Sequence, residues 1–162
     1  MDAAEDLSQQ LWTMRELLQH LLFKLEVQGM LLTSNRTRWV PFAAAEVDAV
    51  LSAIDDVEQE RSRASQRLMA QRRLPADTRL TELIEHLGAP WGELLGQHRL
   101  HLLSLQAEIE EVSRANHECA RRGLMRSREV IAAMGEAGVD VYDPHGASVS
   151  LVSASQRLDR IV

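Results

Sequence analysis

The sequence predicts an all-α protein: an elongated antiparallel bundle of three long helices with one short connecting helix and a flexible C-terminal tail. Three observations carry this reading. Apolar residues recur in alternating steps of four and three over long stretches, the period of a helix face. Aromatic residues make up only 4% of a chain that is 45% hydrophobic, so Leu, Val, Ala and Ile must fill the interior. The prolines fall at the edges of the periodic stretches instead of interrupting them. At 162 residues the chain suits one domain with one continuous core. The bundle is expected over residues 1–139 and the tail over 140–162.

The first helix is marked by Leu7, Leu11, Met14, Leu18, Leu21, Leu25, Gln28 and Leu32, a seam broken only by Gln28. Leu17, Leu22, Phe23 and Leu31 widen the stripe, so this face should meet more than one helix. Ser34 and Asn35 offer a stop, because Asn tolerates the left-handed conformation that ends many helices. A second helix begins near Thr37, with Pro41 early enough to cost little. It continues through Val47, Val50, Ile54, Val57, Arg61, Ala64 and Leu68 until Leu74 and Pro75 end the pattern. The short connection makes these two helices antiparallel.

Pro75, Ala76 and Asp77 read as a loop, with Asp77 or Thr78 capping a short helix whose face is Leu80, Leu83, Ile84 and Leu87. Gly88 breaks it. Ala89, Pro90 and Trp91 open the last long helix, where Leu95, His98, Leu102, Leu105, Ile109 and Val112 keep the heptad. Beyond Val112 the inward positions fit Asn116, Ala120 and Leu124, three steps of four, a stutter that locally unwinds a heptad coil. Ile131 and Met134 resume the apolar face, and Gly135 and Gly138 terminate the helix. From Pro90 to Met134 it spans roughly 65 to 70 Å at 1.5 Å per residue, so it must run the length of the bundle or project past it.

Composition also excludes functions. A formal charge of -6 opposes the basic surface that nucleic-acid binding requires. The arginines at 61, 63, 67, 72 and 73, and at 121, 122, 126 and 128, lie within predicted helices and read as solvated faces paired with acids. A single cysteine, Cys119, allows no internal disulfide and no cysteine metal cage, which suits a reducing cytoplasm. Three acids and no base precede Leu7, the reverse of a signal peptide, and no apolar run approaches about 20 residues. Neither membrane insertion nor general secretion is expected.

Catalytic and cofactor motifs are absent: there is no phosphate-binding glycine loop, nucleophile elbow or paired metal motif. His98 and His101 sit three apart, but bundle metal sites use Glu-x-x-His pairs on two helices, which this chain lacks. Both therefore read as partly buried bundle histidines. His117 and Cys119, two apart on a helix, face different ways, which leaves Cys119 an ordinary semi-buried thiol. Asn116 has two readings, a register-fixing polar group on the seam or a solvent-facing residue at the stutter. No enzyme, metal or cofactor is expected.

The stretch Leu17-Leu18-Gln19-His20-Leu21-Leu22-Phe23-Lys24-Leu25-Glu26, followed by Asn35-Arg36-Thr37-Arg38-Trp39, resembles the first two helices of actinobacterial FlgN-type flagellar chaperones. Ala115-Asn116 lies where that family often shows Asn-x-x-Asn, with Cys119 at the second asparagine position. Val141-Tyr142-Asp143-Pro144-His145-Gly146 resembles the family's Tyr-Gly-x-x-Gly tail motif, with Asp143 replacing the first glycine. The resemblance covers Leu7 through Gly146. It implies a chaperone that binds the C-terminal helical segments of the hook-filament junction proteins FlgK and FlgL and presents them to the export gate protein FlhA, with Tyr142 docking to the gate.

Helix-in-groove packing is the physical mode such a role needs. The stutter, the mid-helix Gly123 and the set Leu124, Val130, Ile131 and Met134 place the cargo surface on the last third of the long helix. The same residues read equally well as bundle core. The rival reading is a structural coiled-coil oligomerisation or adaptor module without an export role, and a carboxylate enzyme is a third. The broken seam argues against the former. The positions of Glu58, Glu60, Glu108, Glu110 and Glu111, mostly outside the seams, argue against the latter.

Overall fold

The computed structural model describes residues 2–136, which form four α-helices and one 3₁₀ turn. Helix α1 (Ala3–Thr33) starts where the Asp2 carboxylate accepts the Ala4 N–H, with Glu5 and Asp6 complementing the positive end of the helix. It ends as expected: Asn35 takes a φ of 56°, the left-handed conformation that turns the chain. A single 3₁₀ turn, Thr37–Trp39, precedes α2 (Val40–Arg72), so the second helix begins three residues later than the sequence suggested, with Pro41 in its first turn. Arg73, with φ also 56°, closes α2 before Pro75.

Helix α3 (Leu80–Leu87) starts later than either expected cap. Thr78 does not cap it. Its hydroxyl instead donates to the Pro75 carbonyl at 2.7 Å and closes the loop, while Glu82 reaches back to the Arg79 N–H. Gly88, at φ 61°, turns the chain into α4 (Trp91–Glu136). Gly92 is required here. A Cβ on it would lie 2.5 Å from the Ile84 carbonyl oxygen, so only a bare backbone lets α4 start this close to α3. Gly135 does not stop α4, which is described through Glu136; Gly138, the expected boundary after 139 and the tail of 140–162 lie outside the described residues.

Helix α1 is the shared wall of the bundle. It packs along both α2 and α4, whereas α3 packs on α4. The ion pairs Asp6–Arg67 (2.6 Å) and Lys24–Glu46 (2.7 Å) set α2 antiparallel to α1. Ser8 meets His98 near one end, and Leu25 meets Asn116 near the other, so α4 runs parallel to α1. The core is the seam read from the sequence: Leu7, Leu11, Met14, Leu18, Leu21 and Leu25 of α1 are buried against Val47, Val50, Ile54, Ala64 and Leu68 of α2 and Leu95, Leu102, Leu105 and Ile109 of α4. Leu17 and Leu22 are half-buried against this core, as the widened stripe implied, but Phe23 is exposed.

The arginines behave largely as solvated faces. Arg61 binds Glu58, Arg63 binds Glu60, and Arg121 binds Glu118, each one turn away along its helix. Arg61–Glu58 is partly buried, whereas Arg63–Glu60 and Arg121–Glu118 are exposed and contribute at most about 1 kcal/mol each, so they do not hold the fold.

His98 and His101 of α4 part company. His101 is exposed, whereas His98 is buried, with its Nε2 3.2 Å from the Ser8 hydroxyl and its ring edge-on to Trp12. Burial, then the nearby charges of Arg15 and His101, lowers its pKa from the ordinary 6.5. The unfolded chain therefore binds a proton at this position more readily than the folded one, and stability rises with pH. The contribution is complete above about pH 6.5 and is lost as pH falls through the lowered folded value. The expected result is a melting temperature that drops on acidification from pH 7.5 toward pH 5, with a shallower drop in His98→Leu. Parallel pH profiles for the two proteins would assign the acid sensitivity elsewhere.

Candidate functional site: the unsupported end of the last helix

Helix α4 has 46 residues against 31 in α1 and 33 in α2. Because α1 and α4 run in parallel from a common end, the excess length accumulates at the other. The pairing of the two helices reaches Asn116, which is buried and donates its amide to the Leu25 carbonyl at 2.7 Å and to the Gln28 side chain at 3.3 Å. This settles the two readings of Asn116 in favour of the seam. Cys119 and Ala120 are half-buried, and every residue from Arg121 to Met134 is exposed, about 20 Å of helix.

The spacing places Leu124 at an inward position of the stutter, but it is 53% exposed, because α1 has already ended and no described helix lies there for it to face. Val130, Ile131 and Met134 are likewise 58%, 42% and 49% exposed, so none of the four is core in the free chain. At 100° per residue, Val130, Ile131 and Met134 share one stripe, with Leu124 at its edge and Met125 on the far side. Val130 and Ile131 line a groove of about 770 Å³ between this stripe and the end of α1, which contributes Leu32, Thr33 and Asn35.

No carboxylate lines the groove. Its charges are Arg122 and Arg126, neither of which has an ion pair among the described residues. At the α1–α2 turn, whose Asn35 lines the groove, the exposed rings of Trp39 and Phe42 meet at a tilt with their centres 5.7 Å apart, and the Arg38 guanidinium is 4.5 Å from the centre of the Trp39 ring. These residues were not singled out as a surface by the sequence reading. The sequence pattern groups Arg122 and Arg126 with the other helix arginines, and Phe42 sits in the first turn of α2, off the seam. Among the described residues no cluster of His, Cys, Asp and Glu could hold a metal ion.

The family model described as FlgN protein matches residues 1–150. The chain belongs to the FlgN family. It is thus an FlgN-type chaperone, a non-catalytic flagellar protein built as a helical bundle. No curated protein and no solved structure matches it. The matched span takes in the whole described bundle and extends beyond it to include Tyr142, which lies outside the described residues. Among the described residues no helix of this FlgN protein is long and apolar enough to cross a membrane.

Proposed function

We propose that this FlgN protein is a cytoplasmic export chaperone that binds the C-terminal helical segments of the hook-filament junction proteins FlgK and FlgL through the free end of α4. One observation supports this reading above the others: in an FlgN-family bundle, about four turns at the end of the longest helix are exposed among the described residues, and that stretch carries an apolar stripe. An assembly-prone amphipathic segment buries its apolar face against such a stripe, and the Trp39–Phe42 pair extends the apolar contact around the turn. Arg122 and Arg126 favour a segment with acidic flanks. The loaded chaperone then presents its cargo to FlhA, with Tyr142 as the aromatic anchor.

Calorimetry of the full chain with each cognate junction protein tests this, with no nucleotide or metal added. Binding to one or both is expected. The cargo-loaded Tyr142→Ala variant should then bind the FlhA cytoplasmic domain about tenfold more weakly, the loss of one modest anchor. No heat with either subunit overturns the cargo reading; unchanged FlhA affinity overturns the role of Tyr142 alone.

A further inference from the structure

At the opposite end of the bundle, a second cavity of about 450 Å³ lies between the C-terminal half of α2, the loop leading into α3 and the first turns of α4. Three arginines, Arg61, Arg79 and Arg99, line it with hydroxyl residues, and no carboxylate does. In a chain of net charge -6 this is a local inversion of sign. Arg61 is already held by Glu58, through bonds of 2.7 and 2.6 Å. Arg79 and Arg99 have no ion pair among the described residues.

One donor in this wall is buried and left without a partner, the Nε of Arg99. Ser65, only 7% exposed, also lines the cavity and can offer its hydroxyl there. Buried polar groups in folded proteins are nearly always satisfied, and leaving one unmade costs about 1 to 3 kcal/mol. The unsatisfied Nε of Arg99 can only donate, and so can the rest of the two unpaired guanidiniums. The missing partner is therefore an acceptor with negative charge.

We infer that this cavity is a binding site for an oxyanion, of the phosphate or carboxylate type, held by Arg79 and Arg99 with Ser65 donating from the α2 wall. Guanidinium forks match such groups with paired, charge-assisted hydrogen bonds. The site is separate from the α4 groove and stands whether or not that groove binds junction proteins.

Amide chemical-shift titration of the full chain with inorganic phosphate, at constant ionic strength, provides the test. Saturable shifts confined to residues 62–66, 78–81 and 99 are expected, and Arg79→Gln and Arg99→Gln should each weaken binding about tenfold. Arg79 is exposed, so its variant should melt like the parent and report binding alone. An acetylated triglutamate peptide distinguishes the sources: displacement of phosphate identifies a peptide carboxylate as the ligand, and failure to displace it identifies a free phosphate-type anion. Shifts that do not saturate, that persist in the Arg79→Gln, Arg99→Gln double variant, or that centre on Arg122 and Arg126 overturn the proposal.

Discussion

Ile131→Asp should lower affinity for the junction-protein segment by about a hundredfold, and Leu124→Asp by about tenfold, with neither shifting the melting temperature appreciably. The unequal effects follow from placement. Ile131 lines the groove, whereas Leu124 sits at the edge of the stripe. A carboxylate placed within a buried apolar contact removes the interaction and is itself desolvated, a loss of roughly 2 to 4 kcal/mol at a binding hot spot. In the free chain both positions face water, where substitutions change stability by about 0.5 kcal/mol or less. Pull-downs and thermal melts on the same preparations make the comparison. If both variants unfold, the residues support the bundle after all; if both bind normally, the cargo surface lies elsewhere.

Gly29→Val is expected to be among the most damaging single substitutions to the bundle. A Cβ at residue 29 would lie 2.5 Å from the Asn116 Oδ1, and Asn116 cannot simply swing aside, because its amide is bonded to the Leu25 carbonyl and to Gln28. Displacing it strands Gln28, which is 1% exposed. Overpacking and unmade buried hydrogen bonds each cost about 1 to 3 kcal/mol, so a loss of about 2 to 5 kcal/mol is expected in urea denaturation. A double-mutant cycle isolates the cause. Gly29→Ala and Asn116→Ala should each destabilise, yet the pair together should cost less than their sum by at least about 1 kcal/mol, since truncating Asn116 clears the space. Additive losses would show that the contact between these two positions is not what makes glycine necessary.

That contact also shows where the sequence was legible and where it was not. The seams of α1 and α2 could be read residue by residue because a heptad records which face is buried. Gln28 and Asn116 were both visible as polar breaks, but periodicity describes one helix at a time and does not say that two breaks face one another. Only the parallel alignment of α1 with α4 brings them together. Leu124 was misplaced for a related reason: its spacing continues the inward register, but spacing does not record where the neighbouring helix stops. The ends were read least well. The 3₁₀ turn before α2 and the late start of α3 depend on loop bonds such as Thr78 to Pro75, which leave little trace in a hydrophobic pattern.

The mismatch in helix lengths has a further result, which is that the protein carries a ruler. A free helix of about 14 residues is marginal in water, and this one keeps its shape because it extends a helix already nucleated and docked upstream. Amide exchange should accordingly quicken in a gradient from Ile109 toward Met134, with no sharp step, and slow again wherever a partner lies down. The protected stretch would then measure the partner's footprint: a helix of about four turns fills the overhang, a longer one must run past it, and a shorter one leaves the tip fraying.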